Sequence, residues 1–148
     1  MEQNLIASLA AEKGASLSSG SLRLYAFNQL NTAVGCLDLY CYDPLNRRAA
    51  VGIMVASEHR RKGYALAMLE KLEEFFSDRG AEDSVPPKGK KPNTERSTLH
   101  TLYADIAATN SGSLALFRKA GYTQCGHFKE WLNVNNHYVD TVRMQKTL

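Results

Sequence analysis

Val55-Ala56-Ser57-Glu58-His59-Arg60-Arg61-Lys62-Gly63-Tyr64-Ala65 is the stretch on which the architecture turns. Before it, Arg48 to Val55 reads as a strand. After it, Tyr64 to Asp78 reads as a helix, with Ala65, Met68, Leu69, Leu72, Phe75 and Phe76 on one stripe and Gly80 as its stop. A strand that leaves through a polar turn into an amphipathic helix opens a crossover connection. The turn also carries chemistry. The first turn of a helix leaves about four backbone N–H groups without helical partners, and the helix dipole adds positive potential there. Gly63 has no Cβ to hold a diphosphate away, and Ala65 is small enough for close helix packing. Arg60, Arg61 and Lys62 add positive charge. The spacing fits neither a Walker loop nor a dinucleotide-binding glycine fingerprint, so triphosphate hydrolysis and hydride transfer get no support.

Toward the N-terminus, Asn4 to Lys13 places Leu5, Ile6, Leu9 and Ala10 at helical spacing ahead of Gly14, which predicts a short helix. Leu22 to Asn28 alternates Leu22, Leu24 and Ala26 against Arg23, Tyr25 and Phe27, which predicts a strand. Thr32 to Tyr42 predicts a second, with Val34, Cys36 and Asp38 on one face and Ala33, Leu37 and Leu39 partly on the other. Asp43-Pro44-Leu45-Asn46 is a turn signal before the strand at Arg48. Loops this short make the first three strands an antiparallel meander.

Toward the C-terminus, Ala81 to Ser97 holds three prolines and a Lys-Gly-Lys-Lys run with almost no apolar residue, and predicts a flexible insertion. Thr98 to Ile106 predicts a strand. Asn110 to Lys119 predicts a short helix, capped by Asn110 or Ser111 and stopped by Gly121. Tyr122 to Val134 and His137 to Met144 predict a hairpin turning at Asn135-Asn136. The order is β-β-β-α-β-α-β-β after an N-terminal helix. It implies an α/β chain with a mixed sheet and packed helices.

The bulk properties bound the function. The 148 residues suit one domain. A net charge of +3, much of it in Arg60–Lys62 and the run from Lys88 to Lys91, suits a solvated surface better than a nucleic-acid partner. The histidines His59, His100, His127 and His137 lack metal spacing, and His59 is expected to be solvent-exposed. The three cysteines, Cys36, Cys41 and Cys125, are expected in the core of a protein from a reducing cytoplasm. Cys36 and Cys41, five apart on one strand, point to opposite faces. No segment has the length of a membrane span.

The motifs together resemble those of the GNAT (Gcn5-related) N-acetyltransferases. Val55-x-x-x-x-Arg60-x-x-Gly63-x-Ala65 is similar to the family's acetyl-CoA signature. About 45 residues later come Asn110-x-x-Ser113 and Leu116-Phe117-x-Lys119-x-Gly121-Tyr122, similar to its second signature. The tail, from Gly126-His127-Phe128-Lys129-Glu130-Trp131 to Arg143-Met144, is similar to the final hairpin of the ribosomal-protein and diamine/polyamine (spermidine) branch. The resemblance covers Leu22 to the C-terminus and implies the acyl-CoA N-acyltransferase fold, with the third and fourth strands splayed around the cofactor. It implies that Ile53, Met54 and Val55 offer backbone groups to the pantetheine arm. It also implies that the amides of Arg61, Lys62, Gly63, Tyr64 and Ala65 take the pyrophosphate beside Arg60. Asn110 then bonds the arm, with Ser113 and Phe117 beside it, and Lys119 reaches a CoA phosphate. The acceptor is a small primary amine, such as a polyamine, or a protein N-terminus. Neither nucleic acid nor membrane is implied, and a homodimer is an open expectation.

Three departures bear on catalysis. Phe117 stands where many members carry a proton-donating tyrosine. Arg48-Ala49-Ala50-Val51 offers no acid where relatives often carry a glutamate. The N-terminal elements read as shortened. Asp105 is the remaining candidate for attracting an amine or accepting its proton, with a strand-end surface role as the alternative. Glu130 and Asp140 face one another near the last hairpin, and suit either a cationic pocket or a structural hydrogen bond. Two functions follow: acetyl transfer from acetyl-CoA to an amine, or a CoA-binding module that is weak or inactive.

Overall fold

The computed structural model describes residues 4–77 and 99–148. Its strands are β1 (Ser8–Ala11), β2 (Leu22–Phe27), β3 (Ala33–Asp43), β4 (Arg48–Val55), β5 (Thr101–Ala107), β6 (Thr123–Val134) and β7 (His137–Thr147). Its helices are α1 (Tyr64–Phe76), between β4 and β5, and α2 (Ser111–Lys119), between β5 and β6. The seven strands form one sheet in the order β1-β2-β3-β4-β5-β7-β6. The β4–β5 pair is parallel and every other pair is antiparallel. The meander and the crossover are thus where the sequence places them. The expected insertion 81–97, together with Asp78, Gly80 and Thr98, lies outside the described residues.

The N-terminal segment corrects the sequence reading. Ser8–Ala11 is a strand paired antiparallel to β2, and Ala7 N–H bonds Phe27 O at 2.8 Å. Only Ile6 is fully buried there, with Leu5 and Leu9 half-buried. One buried side chain cannot anchor a helical face, whereas the open edge of β2 satisfies the backbone outright. A short 3-10 turn at Leu17–Ser19 follows in place of any longer helix.

A bulge explains the second correction. Ala26 pairs with Gly35 but Phe27 pairs with Ala33, so Val34 is the extra residue. The alternation of β3 therefore flips, and Val34 is buried with Leu37 and Leu39 rather than opposite them. Gly35 is needed beside it, because a Cβ there would lie 2.3 Å from Met54 O.

One core cluster joins the sheet to both helices. Leu24, Leu37, Leu39, Leu102 and Met144 meet Met68, Leu72 and Phe117. The alternate residues face outward: Arg23 and Asp38 form a bidentate pair at 2.7 and 2.8 Å. Lys146 clamps the helices from β7, its Nζ lying 2.6 Å from Glu73 Oε2 and 2.7 Å from Ala120 O. The expectation of three core cysteines fails for two. Cys36 is half-buried, but Cys41 and Cys125 are exposed, the first in the irregular end of β3 and the second on edge strand β6.

Candidate functional site

β4 and β5 pair only over three residues each, Arg48–Ala50 with Thr101–Tyr103. Beyond Ala50 and Tyr103 they part. β4 keeps its bonds to β3 through Val55, and β5 keeps its bonds to β7 through Ala107. The result is a wedge with its apex at Ala50 and Tyr103, and β4 presents one unpaired edge along it. Ala56 N–H bonds Val34 O at 2.9 Å, so the ladder alternation turns the backbone of Met54 toward β3. Ile53 and Val55 then turn their N–H and C=O groups toward the gap. Met54 is 61% exposed, past the buried run Ala49–Val51 of the same strand.

The free edge leads into the phosphate-type turn. After the single 3-10 turn at Ser57–His59, Arg61 adopts φ +62° and Gly63 φ +84°. Arginine in the left-handed region costs about 1–3 kcal/mol and persists where the surroundings or a function require it. At Gly63 the same conformation is free of a Cβ penalty, and a Cβ would also sit 3.3 Å from Leu5 Cδ1. α1 begins at Tyr64 with no side-chain cap and no acid in its first turn. Its first helical bond, Ala67 N–H to Gly63 O at 3.3 Å, leaves the amides of Tyr64, Ala65 and Leu66 without helical acceptors. Arg60, Arg61 and Lys62 are exposed around these donors. The Glu58 carboxyl is held below its ordinary range by its own backbone amide and the Ser57 hydroxyl, with smaller help from the charges of His59 and Lys62. His59, expected to be exposed, is half-buried edge-on to Tyr64, ring centres 5.9 Å apart.

The second group of residues lies past the end of β5. Asn110 Oδ1 accepts the Ser113 N–H at 3.1 Å and caps α2. Its amide nitrogen makes no hydrogen bond among the described residues. Ser113 is half-buried, and Lys119 is exposed in the last turn. Phe117 is only 2% exposed and packs edge-on against Tyr122 at 4.9 Å. It is a core residue, so it presents almost no surface to a bound molecule.

The outward face near the apex holds the acid-base candidates. Asp105 is locked in a bidentate pair with Arg143, Nε–Oδ1 2.7 Å and Nη2–Oδ2 2.9 Å. Arg143 also lies over the rings of Tyr103, at 4.6 Å, and Phe128, at 5.1 Å. Asp105 is therefore a paired surface carboxylate rather than a free base. Burial raises the pKa of both Tyr40 and Tyr103, and the Asp105 charge adds to the rise at each. Both phenols stay protonated at neutral pH. Asp140 accepts the Glu130 N–H at 2.8 Å and lies 2.7 Å from His127 Nε2. It thereby pins the bulge of β6, where Glu130 has φ +51°. The sequence reading named Arg143 and Arg61 but foresaw neither the pairing of the first with Asp105 nor the left-handed backbone of the second. An arginine opposite an aspartate on adjacent strands has no signature until the register is known, and a backbone angle has none at all. Among the described residues no three metal-ligating side chains cluster, and no helix is long and apolar enough to cross a membrane.

Comparison with known proteins bears on this geometry. A family model described as an acetyltransferase (GNAT) domain matches residues 4–123. The spermidine N(1)-acetyltransferase of Vibrio cholerae serotype O1 is 23% identical over 111 residues, 75% of this chain and 54% of that protein. The chain thus spans about half the length of this curated relative. Solved structures from the same organism share the fold. Mutant forms of its spermidine/spermine N-acetyltransferase superpose with a TM-score of 0.69 at 22% identity, over 86% of this chain and 67% of the other. Its spermidine N-acetyltransferase in complex with CoA and spermine gives 0.68 at 22%, over 88% and 67%. A dodecameric form gives 0.68 at 22%, over 87% and 66%.

Proposed function

The chain belongs to the GNAT acetyltransferase domain family, and from that premise we propose that it transfers an acetyl group from acetyl-CoA to a primary amine. The observation that carries the proposal is the continuity of two open donor sets. The edge of β4, open at the N–H groups of Ile53 and Val55, runs straight into the uncapped start of α1. An extended pantetheine arm needs the first and a pyrophosphate needs the second, at the two ends of one molecule.

Bound there, acetyl-CoA supplies the thioester. The residues of this chain position it. Ile53 and Val55 add the arm to the sheet edge, the amides of Gly63, Tyr64 and Ala65 take the pyrophosphate, and Asn110 Nδ2 reaches the arm from the other wall. The Val55 N–H faces the gap and suits the acetyl oxygen. Met54 N–H, bonded within the sheet, does not. The incoming amine forms the C–N bond as the C–S bond breaks, and water carries the proton. Orientation contributes about 7–11 kcal/mol to such a step. General acid–base help typically adds about 10²–10⁴-fold, which is what the buried Phe117 and the paired Asp105 leave out.

A polyamine such as spermidine is the first acceptor to test, ahead of other small amines and protein N-termini. A reducing cytoplasm suits three free thiols, two of them exposed. The second reading, a CoA-binding module with little turnover, is favoured by one observation, the absence of an unpaired acid or base at the apex among the described residues. Calorimetry with CoA and thiol release over an amine panel separate the two. Micromolar CoA binding with release on some amine is expected. Binding without release on any amine selects the module, and no binding at millimolar CoA overturns both.

A further inference from the structure

Arg60 is the cation that the sequence places first at the phosphate-type turn, yet its side chain turns back along the chain. Its Nε donates to Val55 O at 3.0 Å. Val55 is the last residue of β4 and one of the two whose polar groups face the wedge. The bond therefore spans from the end of the free strand edge to the turn that starts α1. Arg60 itself is extended, φ −72° and ψ 158°, with its N–H on Ser57 O at 3.4 Å. The next residue, Arg61, is the strained one at φ +62°.

We infer that Arg60 is a positioning residue, which acts through the Val55 carbonyl to hold the strand edge and the anion-binding turn in one register. It is not a phosphate ligand. This rests on the reading of the site as a CoA site and assigns Arg60 a different task within it. The physical need is clear. The two ends of CoA are bound by separate backbone segments, joined by a polar loop without a core side chain. Misalignment of either end weakens the whole contact. A hydrogen bond from the loop back to the strand removes that freedom before the cofactor arrives.

The bond is made by the ε nitrogen, and this makes the inference testable by chemistry. Glutamine places an N–H donor at the same position along the side chain and carries no charge. Lysine keeps the charge but has a methylene at that position. For a positioning hydrogen bond, Arg60→Gln retains CoA affinity within about twofold. Arg60→Ala and Arg60→Lys each lose about tenfold, the scale of one net hydrogen bond. For a phosphate ligand the order inverts: Arg60→Lys retains affinity and Arg60→Gln loses it, as does Arg60→Ala.

Salt gives a second readout. A direct ion contact steepens the fall of CoA affinity with ionic strength, so removing it flattens the slope. Removing a brace leaves the slope of the full chain unchanged. The experiment is calorimetric titration of CoA into the full chain and the three variants at low and high salt, with thermal melts to show that all four fold. The expected result is the order wild type and Gln above Ala and Lys, with parallel salt slopes. Equal loss in Gln and Ala, or a flattened slope in Gln, overturns the positioning role. Failure of the unsubstituted chain to bind CoA overturns the functional reading beneath it instead, so the two failures are distinguishable.

Discussion

α1 and α2 begin in opposite ways. α2 begins closed, with Asn110 Oδ1 on the Ser113 amide at 3.1 Å. α1 begins open, with a glycine at φ +84°, no side-chain cap and three amides ahead of the first helical bond. A cap contributes about 1 kcal/mol, and most helices take one. α1 forgoes it while three cations surround its start. Its donors are the ones that the proposed function gives to a pyrophosphate. The difference teaches how to tell a structural helix start from a binding one: by what the chain declines to put there.

Closing α1 should break the contrast most. Gly63→Asp places a carboxylate against the same amides and a negative charge where a pyrophosphate would sit. The expected loss of CoA affinity is at least about 100-fold, measured by calorimetry. Gly63→Ala is the control, because any side chain here meets the positive φ and Leu5 Cδ1. It is expected to lower stability by about 1 kcal/mol and to weaken CoA binding far less than aspartate does. Equal affinities in the two variants would show that backbone strain, not anion binding, explains Gly63.

Asn110 sharpens the contrast, because its oxygen caps α2 and the proposed function gives its nitrogen a different task. Asn110→Ala removes the cap and should cost about 1 kcal/mol, or a melting temperature lower by about 2–6 °C. Asn110→Asp keeps an acceptor at a helix N-terminus, which the dipole favours, so its melting temperature should match the wild type. Both variants lose the amide donor assigned to the pantetheine arm, and both should bind CoA about tenfold more weakly. Aspartate with full CoA affinity would leave Asn110 with the cap alone.

The fold was legible where one pattern served one element. Arg48–Val55 carries its own turn signals on both sides and forms at the bounds expected of it. Leu22, Leu24 and Ala26 are buried as their alternation requires. It was illegible where tertiary context chose. Leu5, Ile6, Leu9 and Ala10 fit a helical stripe, but the open edge of β2 offered a ladder and the segment took it. In β3 the bulge at Val34 reverses the faces, and no residue type announces it. The site divides along the same line. Gly63 and Asn110 are backbone-dictated choices, so they stand out in sequence. Arg60 reads as a charge in sequence and as a hydrogen bond to Val55 in the structure. Asp105 reads as an acid–base candidate or as a strand-end surface residue, and Arg143, 38 residues away, decides for the second.

The smallest expected effect lies at the far end of the closed helix and appears only in alkali. Tyr122 follows α2 and is 4% exposed against Phe117. Burial pushes its phenol pKa well up, and the nearby Glu73 charge adds to the rise. An unfolded tyrosine titrates near about 10. Below that value both states hold the proton, and Tyr122 gives stability no pH dependence. Above it the unfolded chain releases the proton while the folded chain keeps it. The unfolded state then binds fewer protons, so stability falls as pH rises, by at most about 1.4 kcal/mol per pH unit. Tyr122→Phe should match the wild type at pH 7 within about 1 kcal/mol, since the ring contact is retained. In denaturant titrations above about pH 10 its stability should fall less steeply. Tyr40 and Tyr103, also raised by burial, keep part of the slope in both proteins. Parallel alkaline slopes would show that Tyr122 ionises as freely in the folded chain as in the unfolded one, and that the end of α2 is less tightly closed than its cap.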